Sequence, residues 1–226
     1  MEISLATSFF SVKKGSSIMQ ILAYGQDALT FWALQNKLPH ILHTLQDTST
    51  PSQCEIFFRP SLGSNNGGDR GSHFGEFDFI LLTENCVYLG ETRWDKSSEN
   101  IVDGVLTIRE DQQLRHWMFK FCIEEWDFGG YSNWQEFMEI ASHNLQIRGI
   151  TKPLAPENSL LASNLRTVLG VIKQHYLSQP TVRNVLLYFY KEALNNQLPN
   201  KAGKDFLVVP IDYSEGLLGN FVMIGN

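Results

Sequence analysis

Two short apolar segments, residues 77–82 and 87–92, constrain the fold of this chain more than any other feature of its sequence. Each segment has the length of a β-strand, and only four residues separate them, so together they predict a hairpin. The intervening turn, residues 83–86, lacks the Asn-Gly pair that two-residue hairpin turns favour. A symmetrical turn pairs residue 80 with residue 89 and fixes the register of the whole hairpin.

The same register brings charged residues together at the open end of the hairpin. Asp78 opposes Glu91, and Glu76 opposes Arg93. Opposed residues lie on one face with Cβ atoms about 5 Å apart, and opposed like charges destabilise a sheet. A divalent cation would offset this repulsion, because Mg²⁺ binds one or two carboxylates together with water and phosphate oxygens. The alternative is a solvated hairpin end with a Glu76–Arg93 ion pair that contributes at most about 1 kcal/mol.

Hydrophobic periodicity along the rest of the chain predicts alternating helices and strands. A helix begins near Gln26 and ends or kinks near Lys37, because Pro39 follows. Further helices are predicted at residues 109–126, 133–145 and 157–176, and further strands at residues 6–12, 55–59, 183–190 and 206–213. Residues 185–190 are apolar on both faces, as in a central buried strand. The fold class is therefore an α/β or α+β sandwich with a mixed central sheet flanked by helices.

Length, charge and cysteine content limit the class of protein. The 226 residues are expected to form a single domain (residues 1–226) with its core at about residues 26–213 and a mobile glycine-rich loop at 62–75. A formal charge of −6 argues against a protein that coats DNA, although it is compatible with a local basic patch. The three cysteines are widely spaced, and no leader or long apolar run is present. We therefore expect a cytoplasmic protein without a membrane partner.

The hairpin and its surroundings resemble the PD-(D/E)xK nuclease superfamily. The shared pattern is a glycine-rich segment, a Glu-x-Asp sequence that opens one strand, a Glu-x-Arg sequence in the next strand, and a helix with Gln and basic residues. Asp78 matches the first metal-binding acid, Glu91 matches the second, and Arg93 stands where the family usually has Lys. The resemblance covers about residues 26–125, with 183–190 as a further core strand. It implies a restriction-endonuclease-like fold, a three-layer sandwich with a mixed central β-sheet.

The resemblance also implies roles for particular residues. Asp78, Glu91 and the carbonyl of Thr92 would hold Mg²⁺ or Mn²⁺, and Arg93 would steady the scissile phosphate. The accessory candidates are Glu76, Lys96, Gln113 and Asp27. Asp27 would bring an acid from the first helix, or it would interact only with that helix's dipole.

Two departures from the family pattern bear on activity. No Pro precedes Asp78, and Arg93 cannot deprotonate to act as a base. Lys96 lies close in sequence and is the candidate to replace the missing Lys.

Several basic and aromatic residues are candidates for contact with nucleic acid. The candidate phosphate-binding residues are Arg59, Arg70 and His116; His73 and Lys120 are placed similarly. The alternative for the first two is a surface loop, and for the helical residues it is the solvated side of an amphipathic helix. The five tryptophans would stack on unpaired bases or, as their helical spacing favours, belong to the core or to an interface.

Two functions are consistent with the sequence. The first is a Mg²⁺-dependent endonuclease that hydrolyses phosphodiester bonds of DNA. The alternative is a catalytically inactive nuclease-fold module that binds nucleic acid or a protein partner. A homodimer formed through the Trp-rich helices is compatible with either function.

Overall fold

The computed structural model describes residues 20–62, 76–95, 101–131, 133–147, 158–191 and 198–225. The helices are α1 (Gln26–Asn36), α2 (Leu38–Thr44), α3 (Glu110–Cys122), α4 (Trp134–Ile147) and α5 (Leu160–His175). The strands are β1 (Ile21–Ala23), β2 (Glu55–Phe58), β3 (Phe79–Leu82), β4 (Cys86–Trp94), β5 (Ile101–Val102), β6 (Val105–Leu106), β7 (Thr181–Tyr190), β8 (Lys201–Ala202), β9 (Phe206–Asp212), β10 (Leu217–Leu218) and β11 (Phe221–Ile224). A π-helical turn, Ile123–Asp127, continues α3.

Eight of the strands form one mixed sheet in the order β2-β3-β4-β7-β9-β8-β6-β5. Strand β3 runs antiparallel to both of its neighbours, β2 and β4, whereas β4, β7 and β9 run parallel. Strand β7 lies between β4 and β9, and its residues 185–189 are buried. The prediction of a central strand that is apolar on both faces is therefore confirmed.

Helices cover both faces of the sheet. On one face, α3, α4 and α5 pack against β3 and β4 through a cluster that includes Ile80, Leu89, Phe119 and Leu169. On the other face, α1 and α2 pack against β3, β4, β7 and β9 through a second cluster. These two cores confirm an α/β class with a mixed sheet flanked by helices.

The predicted hairpin register is confirmed within β3 and β4. Leu82 pairs with Val87, and Ile80 pairs with Leu89. The pair Phe79–Gly90 explains the glycine in an otherwise apolar strand: a Cβ at position 90 would lie 2.2 Å from the Phe79 ring.

Other boundaries differ from those predicted. Lys37 separates α1 from α2, so the predicted interruption is confirmed and the chain resumes a helix at once with Pro39 in its first turn. The sequence pattern missed a three-stranded sheet in the order β1-β11-β10, and the predicted core bounds exclude Val222, which is 2% exposed. The predicted strand at 6–12 and loop residues 63–75 lie outside the described residues.

Two of the five tryptophans are buried. Trp32 and Trp134 are each 3% exposed, so these two tryptophans belong to the core. Within the described ranges, none of the helices is long and apolar enough to cross a membrane.

Candidate functional site

Glu91 is the centre of a buried set of polar side chains between β4 and α3. Its carboxylate is 3% exposed and accepts hydrogen bonds from Gln112 Nε2 at 2.8 Å, Arg115 Nη2 at 2.5 Å and His116 Nε2 at 3.0 Å. The three donors stand at positions i, i+3 and i+4 of α3, so they share the helix face that meets the sheet. Both oxygens of the Glu91 carboxylate are thus engaged.

Arg93 and Thr92 extend this set along β4. Arg93 is 6% exposed and donates from Nη1 to the Thr92 carbonyl oxygen and from Nη2 to Gln112 Oε1, each at 2.7 Å. Gln26 Nε2, on α1, donates to the same Thr92 carbonyl at 3.0 Å. Since a carbonyl oxygen has two lone pairs, these two donors use its full capacity. We call Glu91, Arg93, Gln112, Arg115 and His116 the buried cluster.

Asp78 lies one residue before β3 and is held by different donors. Its Oδ2 atom accepts from the backbone N and the hydroxyl of Thr92, both at 2.7 Å. The alternation of side chains breaks at Asp78, because Phe77 and Ile80 pack in the same core cluster. Successive residues of a strand point to opposite faces, so the Thr92 hydroxyl that holds Asp78 leaves β4 toward α1 and the Glu91 carboxylate leaves it toward α3. The prediction that Asp78 and Glu91 face each other on one side of the sheet is therefore wrong.

The pKa values of these two acids move in opposite directions. Burial and then the negative charge of Glu91 raise the pKa of Asp78, although the Thr92 hydrogen bonds and the charge of Arg93 oppose the change. Burial also acts to raise the pKa of Glu91, but the hydrogen bond from His116 and the charge of Arg115 outweigh it and the pKa is lowered. Glu91 is therefore the acid that this environment keeps ionised.

The residues present do not fit a divalent cation as the resemblance implies. Two of its three assigned ligands, the Glu91 carboxylate and the Thr92 carbonyl, already accept five hydrogen bonds in total, and guanidinium groups supply two of them. A cation would have to displace Arg93 and Arg115 and then lie beside them. Within the described ranges, no group of three or more His, Cys, Asp or Glu side chains has the arrangement of a metal site.

A second set of charges lies at the surface, and we call it the exposed cluster: Asp27, Arg59 and Glu76. Arg59 forms ion pairs with both acids, and all three side chains are 42–54% exposed. The predicted ion pair of Glu76 with Arg93 is wrong, because the Glu76 carboxylate pairs with Arg59 while the Arg93 guanidinium donates to the Thr92 carbonyl and to Gln112. The structure thus places Arg59, a predicted phosphate ligand, and the accessory acids Asp27 and Glu76 together in this cluster.

Of the two predicted site residues on α3, Gln113 and His116, His116 contacts Glu91 and Gln113 does not. Gln113, the predicted accessory residue, donates to the Ile108 carbonyl at 2.8 Å near the start of the helix, whereas its neighbour Gln112 contacts Glu91. His116, the predicted phosphate ligand, has a side chain with 0% exposure inside the buried cluster. The sequence interpretation missed Gln112 and Arg115. Lys96 and Arg70 lie outside the described residues.

A signal for the missed residues exists in the sequence. Positions 112, 115, 116, 119 and 122 follow the i, i+3, i+4, i+7 spacing of one helix face, and the last two are Phe119 and Cys122. The buried face of α3 is therefore polar in its first half and apolar in its second, and a search for an entirely apolar stripe overlooks it.

A groove of about 430 Å³ adjoins the buried cluster, and we call it the α3–β9 groove. It is lined by Gln113, His116, Trp117, Lys120, Val182, Arg183, Asn184, Lys204, Asp205, Phe206 and Leu207. His116 connects the two features, since its Nε2 contacts Glu91 and its Nδ1 lies 2.9 Å from Asn184 Oδ1. Asn184 in the groove is therefore linked to Glu91 through the single side chain of His116.

Comparison with known proteins adds no functional assignment. No protein-family model, no curated protein and no solved structure matches the chain. Both the superfamily membership and the restriction-endonuclease-like fold therefore stay predictions.

Proposed function

We propose that this chain is a nuclease-fold module that binds nucleic acid and does not hydrolyse DNA with a metal ion. One observation carries the proposal. The atoms to which the resemblance assigns the metal, the Glu91 carboxylate and the Thr92 carbonyl, are used by donors of the chain itself.

The order of elements supports the nuclease-like fold. The resemblance implies a first helix, two paired strands, a helix that carries Gln and basic residues, and a further core strand. Helix α1, the β3–β4 hairpin, helix α3 and strand β7 follow in that order, and β7 lies beside β4 in the sheet. The proposal therefore keeps the fold that the resemblance implies and changes only the chemistry of the site.

Charge compensation supports the loss of metal chemistry. Asp78 and Glu91 carry two negative charges at most, and the buried Arg93 and Arg115 carry two positive charges. Arg does not lose its proton in proteins, so these charges are permanent. The repulsion between the acids, which is the physical reason to expect a cation, is thus offset by guanidinium groups. Arg93 occupies the position of the family's Lys and covers the Thr92 carbonyl.

Nucleic acid is the partner that the described surface favours. The α3–β9 groove combines the side chains of Lys120 and Lys204 with the aromatic rings of Trp117 and Phe206. Proteins that bind single-stranded nucleic acids combine basic and aromatic side chains in this way.

A metal-dependent endonuclease is the second candidate, and one observation favours it. The negative charge of Glu91 contributes to the raised pKa of Asp78, so each acid lies within the electrostatic influence of the other. A divalent cation that displaced the guanidinium groups would relieve this repulsion.

Plasmid cleavage and DNA binding, measured together, separate the two candidates. Purified full-length protein is incubated with supercoiled plasmid and with labelled duplex and single-stranded oligonucleotides, in Mg²⁺, in Mn²⁺ and in a chelator. We expect binding to persist in the chelator and the plasmid to stay intact in both metals. Nicking that requires a metal and disappears in Asp78→Asn, but not in the surface variant Glu139→Gln, would refute the proposal in favour of the endonuclease.

A further inference from the structure

We infer that the α3–β9 groove holds an unpaired nucleotide of a single-stranded nucleic acid, an inference that rests on the proposed function. The groove lies over β7 and β9, beside α3, and not over the β3–β4 pair that carries Asp78 and Glu91. It therefore adjoins the site that the resemblance implies and shares His116 with it, but its remaining surface belongs to β7, β9 and the outer side of α3.

Aromatic side chains supply surfaces on which a base would stack. Trp117 is half-buried, and its ring stacks on Phe121 with the ring centroids 5.8 Å apart. Phe206 is 8% exposed and packs against the His116 ring at 4.7 Å, so Trp117 is the ring of this pair with surface available to a base. Stacking on such rings is tolerant of base identity, because every base presents a π-face.

Amide groups at the groove can hydrogen-bond the edge of a base. Asn184 contacts His116 Nδ1 through one end of its side-chain amide, at 2.9 Å, which leaves the other end of the amide for a ligand. Gln113 uses its Nε2 to hold the Ile108 carbonyl, which leaves its Oε1 to accept. Amide groups held in place by neighbouring residues can hydrogen-bond the edge of an unpaired base.

The charges of the groove favour an anion. Lys120 and Lys204 line it against one acid, Asp205, and Arg183 lies where β7 begins. Lys120 has an i, i+4 partner in Glu124 at 3.8 Å, whereas Lys204 forms no ion pair with any residue in the described ranges. Lys204 is thus the cation best placed to contact a phosphate, as Lys side chains do on nucleic acid backbones.

The size and shape of the groove favour a nucleotide within a strand. Its volume of about 430 Å³ falls in the usual range for ligand sites, roughly 300–1,000 Å³. A base inside a duplex stacks on its neighbours and has its pairing edge occupied, so a base that stacks on Trp117 in this groove is an unpaired one.

The inference is tested by the fluorescence anisotropy of a labelled twelve-nucleotide oligothymidylate titrated with the protein. The titration is done in chelator and at several salt concentrations. We expect Lys204→Glu to weaken binding about ten-fold and to lower the slope of log affinity against log salt by about 0.7 or more. Trp117→Leu should weaken binding about five-fold or more, and Trp117→Phe should restore most of it. Lys173→Glu is the matched control, since Lys173 is exposed on α5, outside the groove, and the charge change is the same.

Each outcome has a distinct consequence. If the oligonucleotide binds but the groove variants bind as tightly as Lys173→Glu, the groove assignment is overturned while the proposed function stands. If the wild-type protein binds neither single-stranded nor duplex DNA, the proposed function fails as well. Equal affinity for thymidine monophosphate and for the oligonucleotide would overturn the assignment to a strand. Thermal unfolding of every variant establishes that it is folded.

Discussion

The buried cluster around Glu91 and the exposed cluster around Arg59 contain the same kinds of group in opposite surroundings. In the buried cluster, the Glu91 side chain is 3% exposed and its carboxylate is surrounded by hydrogen-bond donors. In the exposed cluster, the Arg59 guanidinium lies between two carboxylates that water also solvates. Exposed pairs contribute little, because water and salt screen them, whereas a buried charge is costly to leave without its partner. Burial, and not residue type, therefore decides which of these charges contribute to the stability of the fold.

The largest effect is expected at the centre of the buried cluster. Glu91→Gln removes the negative charge that offsets Arg115, and an uncompensated buried charge costs about 3–5 kcal/mol of stability. Urea unfolding followed by circular dichroism measures the free energy of unfolding, with Glu139→Gln as a surface control. A loss below about 1 kcal/mol would show that Glu91 weighs no more than an exposed acid.

The pH dependence of stability should have opposite signs for the two acids of the hairpin. The lowered pKa of Glu91 means that its contribution is present above its unfolded value of 4.5 and is lost as pH falls through the lower folded value. The raised pKa of Asp78 means that its contribution is present below 3.8 and is lost as pH rises through the higher folded value.

Urea unfolding between pH 3 and pH 7 measures both signs. The stability loss in Glu91→Gln should shrink as pH falls, and Asp78→Asn should gain stability relative to the wild type as pH rises. Parallel curves for the two variants would contradict the opposite pKa directions.

The smallest effect is expected in the exposed cluster. Arg59→Gln breaks two ion pairs, but exposed pairs typically contribute about 1 kcal/mol or less. The loss should decrease further in high salt, since screening acts on exposed charges. The same urea series in low and high NaCl tests this, and a larger, salt-independent loss would mean that the cluster behaves as a buried one.

The sequence predicted those features that arise from local periodicity. The register of the β3–β4 hairpin follows from two apolar runs and the length of the turn, and residues 185–190 identify the central strand by being apolar on both faces. The two- to four-residue strands β1, β10 and β11 are too short to show a period, so the second sheet could not be predicted.

The candidate site was predicted only in part, for a related reason. The rotation of α3 depends on which side chains meet Glu91, and the two neighbouring glutamines at its start differ by 100° around the helix. The family resemblance assigns Gln113 and His116 to the site, whereas the ionised Glu91 contacts Gln112, Arg115 and His116. The burial of polar side chains around a charged partner depends on tertiary contacts, which hydrophobic periodicity does not show.

Our proposal is that the chain's own guanidinium groups have taken the place of a metal. Calorimetric titration with Mg²⁺ and with Mn²⁺ tests it most directly, with the wild-type protein and the Asp78→Asn variant titrated in parallel. Asp78→Asn retains a hydrogen-bond acceptor for Thr92, so the variant is expected to fold. We predict that the wild-type protein and the variant give the same heats, without saturable binding of either metal that depends on Asp78. A saturable heat of binding in the wild-type protein that disappears in Asp78→Asn would contradict this account.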